Sequence, residues 1–160
     1  LDAEVAGVPI TVRTVSGDVR LTGNGQPAEM RIETVSGDLR IEHAAGRIEA
    51  QTVSGDMKLA VDPVHGARMR TTSGDVQLAG RLAGDASVEV ETVSGDISMN
   101  FAGGNYAYET KSFNGDITTC FGAKPARQSG PGSTLSGAVG SGSAHVRVRS
   151  MSGDIALCDK

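Results

Sequence analysis

One five-residue phrase, Thr-Val-Ser-Gly-Asp, recurs along the whole chain and limits the folds open to it. It is present seven times with small variations, and its acidic residues are Asp18, Asp38, Asp56, Asp75, Asp96, Asp116 and Asp154. Successive Asp residues are 20, 18, 19, 21, 20 and 38 positions apart. A repeat of this length is typical of a solenoid, in which each repeat forms one stacked structural unit.

Each repeat contains two short segments with the pattern of a β-strand. Hydrophobic residues recur eight and six positions before the Asp and one and three positions after it, as at Met30, Ile32, Leu39 and Ile41. The residues between them are mostly charged, as in a half-buried strand. The sequence therefore predicts an all-β protein, a single β-solenoid similar to a parallel β-helix, with about eight coils and a period near 20 residues.

A corner is predicted at each Ser-Gly-Asp, because the inward positions change from even offsets before the Asp to odd offsets after it. Glycine permits φ > 0, and the flanking side chains can accept hydrogen bonds from freed backbone N–H groups. The Thr four positions before the Asp shares the inward face and is expected to form a buried hydroxyl ladder from coil to coil. The predicted structural corner residues are Gly17, Asp18, Gly37, Asp38, Gly55, Asp56, Gly74, Asp75, Gly95, Asp96, Gly115, Asp116, Gly153 and Asp154.

Outward positions carry charges whose signs mostly alternate from repeat to repeat. Five positions before the Asp, the order along the chain is Arg13, Glu33, Gln51, Arg70, Glu91 and Lys111. Opposite charges on neighbouring strands stabilise a sheet by about 0.2–1 kcal/mol per pair. The pattern predicts that successive repeats stack in register as neighbours.

Residues 1–160 are predicted to form one domain. Residues 1–9 are interpreted as a partial N-terminal coil of a longer protein, residues 10–121 as six regular coils, and residues 145–160 as the last coil. Residues 122–144 are rich in Gly, Ser and Pro, yet residues 134–139 repeat the phrase with Ala138 in place of Asp. This segment is interpreted as a degenerate coil or hairpin, with a loop as the alternative.

Composition and residue pattern argue against several functions. A formal charge of −4 does not suit a nucleic-acid partner, and no apolar run is long enough to span a membrane. His43, His65 and His145 occupy unrelated positions, so the sequence predicts neither catalytic nor metal-binding residues and no enzyme activity. Calcium between the Asp residues of neighbouring coils is the alternative to hydrated carboxylates that accept backbone hydrogen bonds. The hydrated form is favoured, so no cofactor is predicted.

Two further groups of residues are candidate sites. The aromatic residues Phe101, Tyr106, Phe113 and Phe121 cluster in sequence and form a candidate ligand patch, the alternative being that they fill the core. Cys120 and Cys158 each lie four residues after a repeat Asp, and they form a candidate disulfide. Their Cα atoms would lie about 4.8 Å apart if their coils are neighbours, which permits the bond. A coil at residues 134–139 between them would exclude it.

The recurrent Thr-Val-Ser-Gly-Asp-Val-x-Leu phrase carries a family resemblance. Together with Leu-Ser-Gly-Ala-Val-Gly-Ser-Gly at 135–142 and Val-Arg-Val-Arg-Ser-Met-Ser-Gly-Asp-Ile at 146–155, it resembles a bacterial adhesin-like family of β-strand-repeat proteins of unknown function. The resemblance covers nearly the whole chain, although Asn114 and Ala138 depart from the phrase. It implies an exported β-solenoid at the cell surface or in the periplasm, and it defines no catalytic residues.

The functional expectation is a non-enzymatic structural or adhesin-like module of the bacterial cell envelope. Its partners would be proteins or surface glycans, and its open ends could allow end-to-end self-association. The alternative is a carbohydrate-binding or carbohydrate-active solenoid that uses the aromatic patch at residues 101–121.

Overall fold

The computed structural model describes residues 1–102, 105–120, 126–127 and 132–158, and this part of the chain contains fifteen strands and no helix. All of the strands belong to one hydrogen-bonded sheet, so the predicted all-β, β-solenoid-like fold is confirmed. The strands are β1 (Asp2–Val5), β2 (Ile10–Ser16), β3 (Val19–Gly23), β4 (Pro27–Ser36), β5 (Leu39–Ser54), β6 (Met57–Ser73), β7 (Val76–Gly80), β8 (Leu82–Ser94), β9 (Ile97–Phe101), β10 (Tyr106–Asn114), β11 (Ile117–Thr119), β12 (Ala126–Arg127), β13 (Ser133–Val139), β14 (Ala144–Ser152) and β15 (Ile155–Cys158).

Each Ser-Gly-Asp and its two flanking strand segments form one rung. Each rung is named after its Asp, for example the Asp96 rung. The segments before the Asp pair in parallel, with Thr34 opposite both Thr14 and Thr52. The segments after the Asp do the same, with Ile41 opposite both Leu21 and Leu59. Repeats with the same pattern therefore stack in register, and β1 adds a further parallel strand beside β3.

The core lies between the two sets of segments and consists of the inward side chains of every rung. Ile32, Leu59, Met69 and Val90 are all fully buried. Each such side chain stabilises the fold by about 1.5–3 kcal/mol relative to an exposed one. Most of these side chains are aliphatic, and the largest fully buried ones are Tyr106 and Phe101.

The last rung, which comprises residues 144–158, departs from the order of the sequence. β14 pairs in parallel with β8 on one side and with β10 on the other. β15 likewise lies between β9 and β11. The Asp154 rung is therefore inserted between the Asp96 and Asp116 rungs. The expectation that successive repeats are neighbours is wrong here, and Lys111 lies beside Arg149 rather than beside Glu91.

The charges seven positions before the Asp give a physical reason for this insertion. Chain order would place Glu89 beside Glu109, and like charges on neighbouring strands are destabilising. In the structure Arg147 lies between them, in register with both and 3.6 Å from the Glu109 carboxylate. The pKa of Glu109 is lowered, chiefly by its hydrogen bond to Lys111, with a further contribution from Arg147.

The segment that precedes the last rung is neither a coil nor a plain loop in its described part. β13 pairs antiparallel with β10, on the side opposite to β14. β12 pairs antiparallel with β13 and lies farther out. Residues 134–139 therefore lie in an antiparallel strand beyond the Asp116 rung and form neither a coil nor a loop. The antiparallel pairing of β12 with β13 agrees with the hairpin interpretation. Residues 121–125 and 128–131 lie outside the described part of the chain.

Candidate functional site

The Asp side chains form a continuous hydrogen-bonded ladder along the corners. Each carboxylate accepts a bond from the backbone N–H of the Asp in the next rung, and this bonding explains why Asp recurs at the corner. In order along the stack, the donors and acceptors are Asp38 to Asp18 at 3.2 Å, Asp56 to Asp38 at 3.1 Å, Asp75 to Asp56 at 3.0 Å, and then Asp96 to Asp75, Asp154 to Asp96 and Asp116 to Asp154 at 2.9 Å. Within the described residues, no group of three or more His, Cys, Asp or Glu is placed to hold a metal ion.

The ladder predicts a cost for removing one carboxylate from its middle. Asp56→Ala leaves the Asp75 N–H without its acceptor, and we expect the free energy of unfolding to fall by about 0.5–1.5 kcal/mol in urea titrations. Asp56→Asn keeps an acceptor oxygen and should lose less. Asp116→Ala is the control, because its carboxylate ends the ladder and accepts no Asp N–H in the described structure. Equal losses of unfolding free energy at both positions would contradict a stabilising role of the ladder bonds.

The Thr column is buried beyond its first rung, but its hydroxyl groups do not form the expected ladder. Among its described members, Ser112 of the Asp116 rung donates to a neighbouring rung, to the carbonyl of Gly153 at 3.2 Å. Thr52 donates to the carbonyl of Ser54, two residues along its own chain, at 3.3 Å. The hydroxyls of Thr34, Thr71 and Thr92 have no hydrogen-bond partner among the described residues. Equivalent atoms in neighbouring rungs repeat at about 4.8 Å, which exceeds the 2.5–3.0 Å of an O–H···O bond. The expected hydroxyl ladder is therefore corrected to a buried column.

Two members of the predicted ligand patch belong to the core. Phe101 and Tyr106 are fully buried and pack edge to face, with ring centroids 5.5 Å apart. Tyr106 lies opposite Ala144 of the inserted rung, and this small residue leaves room for the ring. Phe113 is 55% exposed, whereas Phe121 lies outside the described residues. Of the predicted patch residues that the structure describes, Phe113 alone is exposed.

An exposed apolar row runs along the stack beside the corners, and the sequence reasoning missed it. Its members lie three positions before each Asp, and in spatial order they are Val15, Val35, Val53, Thr72, Val93, Met151 and Phe113, of which Thr72 is the one polar residue. Their exposed fractions include 74% for Val15, 50% for Val93 and 56% for Met151. The Val of each Thr-Val-Ser-Gly-Asp stands at an outward offset. An apolar residue that recurs at such a position was the signal available in the sequence.

A groove of about 610 Å³ follows part of this row. Val53, Val93, Met151 and Phe113 form its apolar side, Gln51, Arg70, Glu91, Arg149 and Lys111 form its charged side, and residues 132–134 contribute at one end. Glu91 pairs with Arg70 at 3.1 Å and more loosely with Arg149 at 4.0 Å. Lys111 lies in register beside Arg149 and pairs with Glu109. The groove, called the axial groove here, is therefore apolar on one side and charged on the other. Arg70 and Lys111 are paired closely with carboxylates, and Arg149 is the least neutralised cation.

Cys120 and Cys158 form a disulfide, with Cα atoms 4.8 Å apart. They meet because the last rung is inserted directly beside the Asp116 rung, while residues 134–139 lie on the far side of β10. Cys120 is exposed and Cys158 is half-buried. The bond thus ties the inserted rung to its neighbour at the protein surface.

Comparison with known proteins identifies the fold family. The family model described as Toastrack DUF4097 matches residues 3–90 and again residues 64–158. No curated protein and no solved structure matches the chain significantly. In the described part of the chain, no helix is long and apolar enough to cross a membrane. The two overlapping matches together span almost the whole sequence, and the chain therefore belongs to the Toastrack DUF4097 family.

Proposed function

We propose that this protein is a non-enzymatic structural and binding module of the bacterial cell envelope that holds an extended segment of a partner protein in the axial groove. The observation that carries the proposal is the exposed apolar row, which continues over successive rungs. Contiguous exposed apolar surface beside polar residues is typical of interaction sites. In this proposal the chain is one β-solenoid of about eight coils with a period near 20 residues.

The charges of the groove indicate the chemistry of the partner. The chain as a whole carries a net charge of −4, yet the charged side of the groove is lined by three cations, Arg70, Arg149 and Lys111, and one carboxylate, Glu91. Glu109 pairs with Lys111 from outside this lining, so Arg149 contributes most of the positive charge. Complementary charge favours specific association and raises its rate. A partner segment with apolar and acidic side chains would match both sides. An extended segment fits because the groove follows the row from rung to rung.

Two observations support a location outside the cytoplasm. The resemblance described above implies export, and the structure contains a disulfide between Cys120 and Cys158. Disulfides persist in oxidising compartments such as the periplasm and the cell surface. Carbohydrate binding, the alternative function, has weaker support because Phe101 and Tyr106 are buried.

Fluorescence anisotropy with a labelled synthetic peptide of alternating Val and Glu tests the proposal. We expect saturable binding that weakens at least tenfold in Met151→Asp, because this change removes an apolar contact and places a negative charge beside the acidic peptide. Val15→Asp is the matched control, since Val15 belongs to the same row but lies outside the groove. A peptide of alternating Val and Lys should bind poorly.

The proposal fails if the acidic peptide does not bind, or if Met151→Asp and Val15→Asp weaken binding equally. A glycan array addresses the alternative function. Glycan binding by the wild type that disappears in Phe113→Ala would favour a carbohydrate-binding surface instead.

A further inference from the structure

We propose that the last rung is an exchangeable element, and that two copies of this chain can each insert β14 and β15 between the Asp96 and Asp116 rungs of the other. The partner is therefore a second copy of the same chain. This inference stands on the topology of the sheet and does not depend on the function of the axial groove.

The contacts of the last rung permit exchange because each of them can be made by a rung from the same chain or from another copy. β14 pairs with β8 and β10, and β15 pairs with β9 and β11. Val146, Val148, Ile155 and Leu157 are buried in the slot that these strands form. The same pairings and the same burial arise whether the rung comes from its own chain or from another copy. Domain swapping uses this equivalence.

The slot is specific for a rung with the chemistry of residues 144–158. Glu89 and Glu109 face each other across it, and Arg147 of the inserted rung lies between them. The Asp96 carboxylate accepts the N–H of Asp154, whose own carboxylate accepts the N–H of Asp116. An occupant must therefore supply an Arg and a corner Asp at this spacing. A second copy meets both requirements.

The connection to the last rung is a short hinge. Residues 140–143 have the sequence Gly-Ser-Gly-Ser and carry the chain from β13, on one side of β10, to β14 on the other. The closed hinge has positive φ angles of 62° at Gly140 and 67° at Gly142. Four extended residues reach about 14 Å, enough to direct the rung away from its own slot. Short hinge loops favour domain swapping.

Asn105 holds the hinge in its closed form. Its side-chain oxygen accepts the N–H of Ser141 at 3.2 Å, and its carbonyl accepts the N–H of Ala144 at 3.0 Å and the hydroxyl of Ser143 at 3.3 Å. Loss of the side-chain bond should favour the open hinge. Asn105→Ala is therefore expected to increase exchange.

The disulfide would link two chains covalently after they exchange their last rungs. In the closed chain it joins Cys120 to Cys158. After exchange, Cys158 of one copy lies beside Cys120 of the other. Their two thiols then react with oxidised glutathione to give one intermolecular disulfide and two molecules of reduced glutathione. The site of the bond therefore records which chain supplied the rung.

Refolding of mixed wild-type copies tests the proposal without any substitution. Unlabelled and heavy-isotope-labelled chains are reduced, unfolded together and refolded at high concentration with a glutathione redox pair. We expect peptide mapping to find Cys120–Cys158 pairs that contain one peptide of each isotope, in a fraction with the mass of a dimer. If the pairs always carry a single isotope, the rung does not exchange and the proposal is wrong.

Variants then test the slot and the hinge. A mixture of the Cys120→Ser and Cys158→Ser chains should give a covalent dimer through the two remaining cysteines. Each variant refolded alone is the control. If each alone forms covalent dimers in equal yield, the bond arises from oxidation at the surface and the proposal is wrong. Adding Arg147→Glu to the Cys120→Ser chain should lower the yield severalfold. Arg31→Glu in that chain is the matched control, because Arg31 occupies the same charge column outside the slot. Equal effects of the two Arg substitutions on the dimer yield would contradict recognition of the rung by the slot. Asn105→Ala should raise the dimer yield, because it removes a hydrogen bond that holds the hinge closed.

Discussion

We expect Gly55→Val to lower the free energy of unfolding by about 2–6 kcal/mol. Gly55 has φ of 130°, a conformation that costs a β-branched residue about 1–3 kcal/mol. A Cβ atom at this position would also lie 2.2 Å from the carbonyl oxygen of Gly37 in the neighbouring rung. Relief of this overlap requires separation of the two corners, at a further cost of about 1–3 kcal/mol. Urea-induced unfolding followed by circular dichroism measures the loss.

Gly17→Val separates these two effects. Gly17 occupies the same place in its motif and has φ of 108°, but no atom lies within 4 Å of a Cβ built on it. It should therefore show the cost of the backbone conformation without the overlap, and lose about 1–3 kcal/mol. Equal losses at both positions would show that close stacking of corners is unimportant, and a neutral result at both would place the corners elsewhere.

Reduction of the disulfide is the second change with a large expected effect. The cysteines are 38 residues apart, and release of a cross-link over such a loop lowers the free energy of unfolding by about 4 kcal/mol through the entropy of the unfolded chain. Thermal and urea unfolding with and without a phosphine reductant should show the difference. On reduction, the last rung is expected to lose more hydrogen-exchange protection than any other rung, because the bond ties this rung to its neighbour.

The double substitution Cys120→Ser and Cys158→Ser provides the control. Its stability should equal that of the reduced wild type and should not respond to reductant. Thiol titration of the unreduced, denatured wild type checks the premise. Two free thiols in that titration, or unchanged stability after reduction, would contradict a role of the bond in holding the inserted rung.

The sequence by itself determined the repeating unit of this protein. Alternation around residues such as Ile32 and Leu39 predicted both strand segments, because inward and outward positions must alternate along a strand. The change of parity at Ser-Gly-Asp predicted the corner, since a glycine and a carboxylate suit a tight change of direction. These features depend on residues that are close in sequence, so the pattern of one repeat was sufficient to find them.

Only the tertiary structure decided which rungs are neighbours. All rungs have nearly the same motif, so the pattern within one repeat cannot predict which rungs lie beside the Asp154 rung. The inserted position depends on contacts distant in sequence, above all on Arg147 between Glu89 and Glu109. The same contacts place Tyr106 opposite Ala144 in the core and Met151 between Val93 and Phe113 in the exposed apolar row. The inward–outward alternation of one strand specifies which side chains are buried, but it does not specify which rung lies beside it.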